Sequence, residues 1–201
     1  WNALVRVYQY VKGTADLKLT YSRMADTPAP LLYGYSDADW ATTDIDERRT
    51  CIGYCLFLSG AVILWLTRFL KPCLSSMEGE LGGVTEIAKN AIASRELMAA
   101  LPLSWYVLNK DIPTTVLLDA TATKQACDNP RHHSRAKHME TFLAWVRHVI
   151  QEGHIRTQNI PRDDNVADFM VKPYNKAMHR ATVRLRMGPC QALKTRRSGG
   201  E

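Results

Sequence analysis

Three short apolar runs crowd the first third of the chain: "LLYGYSD" at 31–37, "CIGYCLFL" at 51–58 and "AVILWL" at 61–66. Each has strand length, and Ser59-Gly60 between the last two is a hairpin signal. The polar loop "TTDIDERRT" separates the first two, so the three runs predict an antiparallel meander. Further along, the pattern changes. A long helical periodicity covers about 76–101, followed by a buried-looking strand "TTVLLD" at 114–119 and a short helical segment at 121–128. A helix at about 137–152 and an alternating strand "HIRTQNI" at 154–160 come next. "DDNVADFMVKP" then predicts a last helix, capped by Asp163 and Asp164 and stopped near Pro173. Ahead of the meander, Leu4, Val7, Tyr8 and Val11 stand at helical spacing, with Gly13 as a stop. A meander followed by helix-linked strands implies an α/β fold, a mixed sheet with helices on both faces.

At 201 residues and 46% hydrophobic content, the chain suits one domain with a core of its own. No apolar run approaches the roughly 18 residues of a membrane span. The chain opens at Trp1, which suggests a fragment or a processed piece. Its five cysteines are odd in number and contain no CxxC pair, pointing to free thiols in a reducing compartment rather than to zinc. The net charge of +6 is unevenly spread. Residues 172–201 hold eight Lys or Arg against one acid, whereas residues 1–171 hold 18 basic and 19 acidic residues. A near-neutral body with a basic tail suggests a polyanionic partner, nucleic acid first.

In a sheet of this kind, ligands gather at strand ends and adjoining helix termini. Asp37 and Asp39 end the first strand, Asp119 ends the fourth, Glu78 and Glu80 fall in the first turns of the long helix, and Asp168 lies within the last helix. Ser75 and Glu78 have capping-box spacing, which gives Glu78 a structural task and leaves Glu80 for the site. Asp163 and Asp164 are read as caps, leaving Asp168. Period two places Asp37 and Asp39 on one strand face, so that choice stays open. Oxygen ligands without nitrogen or sulfur suit hard cations such as Mg2+ or Mn2+. A pair of such ions, roughly 3.5–4 Å apart, can clamp the attacking and leaving oxygens of a phosphoryl displacement.

"YGYSDADWA", "DERRTCIGYCLFLSG", "SSMEGE", "NPRHHSRAKH" and "IPRDDNVADFMVKP" resemble, in order and spacing, the motifs of the ribonuclease H domain in copia-type retrotransposon polyproteins. The likeness runs from about Leu31 to Lys172. Residues 1–23 resemble the end of the preceding reverse-transcriptase region. The resemblance implies three segments: 1–30, the end of that region and a linker; 31–173, a ribonuclease H-like domain; and 174–201, a basic C-terminal helix and tail. It implies that Asp37, Glu80, Asp119 and Asp168 are catalytic and bind two Mg2+ ions, with Mn2+ able to substitute. The reaction implied is endonucleolytic cleavage of the RNA strand of an RNA–DNA hybrid, with water as nucleophile and a 5′-phosphate product. The partners implied are that hybrid and the upstream reverse transcriptase. The location implied is a cytoplasmic virus-like particle, with the nucleus as the alternative.

Arg131, His133, Arg135 and Lys137, cations near a helix start that suit phosphate, are the expected nucleic-acid contacts, together with Lys172. The histidines of "RHHSRAKH" lack the Cys partners and spacing of a zinc site. Trp40, close to Asp37, is the tryptophan best placed to meet a base. The chain departs from the family at three places: Ala120-Thr121 replaces an amide-bearing pair, Leu81-Gly82-Gly83 follows Glu80 where an aromatic is usual, and "LTRFLKP" is poor in lysine. Each glycine should weaken a helix by roughly 1 kcal/mol relative to Ala. These changes keep a second reading open, a catalytically silent nucleic-acid-binding remnant. Another nuclease on the same sheet, such as an integrase or resolvase, fits the ordered motifs less well.

Overall fold

β1 (Leu32–Asp39) is the central strand of a five-stranded sheet with the order β3-β2-β1-β4-β5. β2 (Cys51–Leu58) and β3 (Ala61–Phe69) continue from it as an antiparallel meander, while β4 (Thr114–Leu118) runs parallel to β1 and β5 (Ile155–Asn159) parallel to β4. The expected mixed sheet is therefore present. This computed structural model describes residues 1–15, 17–21, 32–40, 49–70, 73–101, 112–129, 137–179 and 182, with the backbone alone at 137 and 138. Most of the 42–50 loop, the "RHHSRAKH" segment before Lys137 and the tail beyond 182 lie outside the described residues.

Local chemistry accounts for the meander. Ser59 and Gly60 both take positive φ (50° and 83°), the backbone that matches a two-residue hairpin to the twist of its strands. β3 runs three residues further than its apolar run predicts, because Thr67–Phe69 stay paired with Cys51–Gly53. Alternation then sorts side chains to two faces. One face carries Leu32, Tyr54, Leu56, Val116 and Leu118 into the main core, packed against the helices α2 (Ser76–Ala100), α3 (Thr121–Asp128) and α4 (Lys137–Gln151). The other buries Tyr33, Tyr35, Cys55, Phe57 and Leu117, with Phe169 and Met170 from the short α5 (Asp168–Val171) packed on them. Tyr33 stacks on Phe57 at 5.3 Å between ring centroids, and Tyr35 meets Phe57 edge-on at 5.7 Å. Each such contact contributes about 0.5–1.5 kcal/mol beyond the area it buries.

Helix α1 (Asn2–Gly13) forms as its periodicity predicts, but none of its residues is buried. Among the described residues, no disulfide joins Cys51, Cys55, Cys73 and Cys127, and no helix is long and apolar enough to cross a membrane.

The last helix differs from expectation. Asp163 and Asp164 do not cap it; they lie in a separate 3-10 turn, Arg162–Asp164, and α5 begins only at Asp168 behind Ala167, which makes no side-chain cap bond. Asn165 causes the interruption. Its side-chain oxygen accepts from the Ala167 N–H at 3.0 Å, a local bond that competes with helix propagation.

Gly83 also proves to have a task. A Cβ there would lie 2.4 Å from Ser36 Oγ, inside the seam where α2 rests on β1. α2 runs through both glycines without a break, so the propensity cost is accepted for close approach. Gly83→Ala should destabilise the fold by about 1–3 kcal/mol through overpacking, despite its helix gain of about 1 kcal/mol. Gly82→Ala meets only the end of the flexible Leu70 side chain and should cost less. Chemical denaturation of the two variants checks this, and equal midpoints would refute the seam.

Candidate metal centre

β1 and β4 run parallel, so their C-terminal ends share one edge of the sheet. Asp37 approaches that edge on β1, and Asp119 follows directly after β4. Glu80 arrives from the second turn of α2. Its neighbour Glu78 is occupied elsewhere: Ser75 Oγ accepts from the Glu78 N–H at 3.2 Å, and Glu78 Oε2 accepts from the Leu74 N–H at 2.7 Å. The expected division of labour between the two glutamates is thus visible, although Glu78 reaches the residue before the cap rather than the cap itself.

Oxygens of Asp37, Glu80 and Asp119 lie within 4.8 Å of one another, the only such acidic group among the described residues. Asp39, on the same strand face as Asp37, stands outside it. Asp168 also falls outside this tight group but remains beside it. Lys172 Nζ donates to Asp168 Oδ1 and, at 3.4 Å, to Asp37 Oδ2, so the two carboxylates share one ammonium. The Tyr174 hydroxyl donates to the other oxygen of Asp168. This places Lys172, expected among the nucleic-acid contacts, against two carboxylates. Its i, i+4 spacing from Asp168 is the sequence signal for that pairing. Of the other expected contacts, Arg131, His133 and Arg135 lie outside the described residues, as does the side chain of Lys137.

Burial and crowding set the electrostatics. Burial, reinforced by Asp37 and Asp119, pushes the Glu80 carboxyl up to about 9. Burial also raises Asp37 to about 6; Lys172 opposes the shift while Asp119 and Asp168 add to it. Burial would raise Asp168 too, but hydrogen bonds from Lys172 and Tyr174 outweigh it and hold the carboxyl below its ordinary value. The Ala38 N–H donates to Asp37 Oδ1 at 2.9 Å, whereas the buried Glu80 Oε2 has no hydrogen-bond partner. An unpartnered buried carboxylate oxygen beside two other acids is unfavourable for the protein alone and well suited to a hard cation. The donor set therefore fits a hard divalent cation.

Asn165 is the site residue that the sequence reading missed. Fully buried, it donates to Ser36 O at 3.0 Å and to Asp119 Oδ1 at 3.1 Å. It thereby fixes Asp119 relative to β1. In "DDNVAD" it looks like one more turn residue, and only the three-dimensional contacts separate it from its neighbours. Asn165→Ala should lose about 2–4 kcal/mol of stability, since several buried groups lose their partner at once. A loss below about 1 kcal/mol in urea denaturation would contradict this. Trp40 is tied down differently: its indole N–H donates to Cys73 O at 2.9 Å, leaving the ring about half exposed.

No protein-family model matches the chain. Among curated proteins, the Retrovirus-related Pol polyprotein from transposon TNT 1-94 of Nicotiana tabacum is 30% identical over 179 residues, covering 88% of this chain and 13% of that protein. The Retrovirus-related Pol polyprotein from transposon RE2 of Arabidopsis thaliana is 30% identical over 177 residues, covering 88% and 12%. The chain thus spans about an eighth of the length of these relatives. Among solved structures, LC11-RNase H1 in complex with an RNA/DNA hybrid superposes with a TM-score of 0.52 at 12% identity, over 70% of this chain and 93% of that one. The chain is therefore a relative of one segment of the retrovirus-related Pol polyproteins of plant transposons, and its fold is that of ribonuclease H.

Proposed function

We propose that the chain is a metal-dependent endonuclease that cleaves the RNA strand of RNA–DNA hybrids during reverse transcription of a retrotransposon. The observation that carries this reading is the convergence of Asp37, Glu80 and Asp119, with an unpartnered Glu80 oxygen, on a fold shared with a hybrid-binding ribonuclease H. Asp37, Glu80 and Asp119 would hold the metal, with Asp168 as the adjoining fourth carboxylate. Divalent ions bound there would lower the pKa of the attacking water and stabilise the leaving oxygen.

The chain's own residues supply position. The Ala38 N–H orients Asp37, Asn165 orients Asp119, and the Gly83 seam lets α2 bring Glu80 close. Arg131, His133, Arg135 and Lys137 are proposed to contact phosphate, aided by the basic tail. In a polyprotein of this type the domain would work downstream of a reverse transcriptase, in a cytoplasmic particle. The segment boundaries near 30 and 173 belong to the same proposal.

The test is incubation of the purified chain with a hybrid labelled on its RNA strand, in Mg2+ and separately in Mn2+. Shortened RNA with intact DNA is expected. Tight hybrid binding without cleavage in either metal would favour the silent remnant instead.

A further inference from the structure

Lys172 is the one cation whose ammonium is described inside the acidic cluster, and its surroundings are specific. It ends α5, with its backbone N–H donating to Asp168 O at 3.1 Å, so its stem starts one helical turn from the carboxylate it serves. Its Nζ bridges Asp168 Oδ1 and Asp37 Oδ2. Tyr174 holds the remaining oxygen of Asp168. Both oxygens of Asp168 are thus engaged, and one oxygen of Asp37 faces the ammonium. The tight three-carboxylate group forms without Asp168, and Lys172 acts on Glu80 through its charge and not through a bond. The centre is consequently asymmetric: the ammonium is bonded to Asp37 and Asp168, while Glu80 and Asp119 lie on the side away from those bonds.

We propose that Lys172 is a resident counter-cation for the Asp37–Asp168 half of the site, which a second divalent ion must displace, so that the two ions load in separate steps of unequal affinity. This rests on the metal-binding reading above. An ammonium and a divalent ion could not occupy that space together. Like charges this close repel strongly in a partly buried site, and a divalent ion doubles the repulsion of a univalent one. Lys172 can leave: its side chain is a quarter exposed, and a lysine stem is flexible. Displacing it forfeits two charge-assisted bonds, a cost that falls on the second ion, whereas the first meets only the field of the ammonium at Asp37 and Glu80.

The experiment is a calorimetric titration of the 201-residue chain with MnCl2 alone, without nucleic acid, for the parent, Lys172→Met and Lys172→Arg. The parent should bind one ion and then a second at least about tenfold more weakly, since the second alone must displace the ammonium. Lys172→Met should tighten the second step at least about tenfold, with a smaller change in the first. Lys172→Arg keeps the charge and should keep the weak second step; it also controls for any effect of substitution on folding. A second step unchanged in Lys172→Met would overturn the role of Lys172 and leave the metal reading standing. Absence of Mn2+ binding in all three proteins would remove both.

Discussion

Asp119→Asn is expected to slow cleavage of an RNA–DNA hybrid by about a thousandfold or more, a barrier increase of about 4 kcal/mol. The substitution is close to isosteric, and the Asn165 amide can still donate to the side-chain oxygen that replaces Oδ1. What disappears is a full negative charge facing Asp37 and Glu80, and an amide is a far poorer ligand for a hard cation. Losing a metal forfeits water activation or leaving-group stabilisation, each worth several kcal/mol. Hybrid binding should persist, because the contacts proposed for phosphate lie elsewhere. Asp119 also contributes to the repulsion that raises Asp37 and Glu80, so in EDTA the variant should melt slightly higher than the parent. Asp39→Asn is the control. Asp39 shares the strand face of Asp37 but lies outside the carboxylate group, and its loss should change the rate by less than about tenfold, well short of a lost ligand's effect. Similar losses from both variants would mean that proximity to the strand end, and not membership of the group, decides the effect.

The parts of the site that the sequence exposed are those carried by regular elements. Asp37 and Asp119 follow from strand ends, and Ser75 with Glu78 from capping chemistry, which left Glu80 as the glutamate available for the site. Period two could not separate Asp37 from Asp39. The separation comes from where α2 and the chain after β4 close on β1. The segment 161–174 was least legible, for a definite reason. "DDNVADFMVKP" has the residues of a capped helix, yet Asn165 spends its side chain on Ser36, Asp119 and Ala167. That breaks the helix into a 3-10 turn and a single α-turn, and changes the setting of Asp168. Gly83 was illegible for the opposite reason: its helix penalty is readable locally, while the Ser36 contact that requires it comes from 47 residues away in sequence.

Glu80 should make the stability of the chain strongly pH-dependent in EDTA, in the direction opposite to ordinary acid denaturation. Its carboxyl titrates at about 9 in the folded protein, against 4.5 for an unperturbed glutamate. Below pH 4.5 the folded and unfolded chains both carry the proton, and the buried neutral acid contributes its full stability. Between 4.5 and about 9 the folded chain retains a proton that the unfolded chain has released, so stability falls as pH rises and the loss is complete above about 9. The slope approaches about 1.4 kcal/mol per pH unit for one retained proton. Asp37 acts with the same sign over a narrower window, from 3.8 to about 6. Glu80→Gln removes the first contribution, because a neutral amide of the same shape does not ionise. In EDTA the parent should weaken steadily from pH 6 to 9 while the variant stays nearly flat, and at pH 8 the variant should be more stable by roughly a few kcal/mol. Added Mg2+ should reverse the order. Cations bind the ionised carboxylate, so magnesium should stabilise the parent increasingly as pH rises and stabilise the variant much less. Denaturation curves at each pH, with EDTA and with Mg2+, measure both effects. Parallel pH profiles in EDTA would show that Glu80 is not held neutral by its burial, and an equal response to Mg2+ would remove it from the metal site.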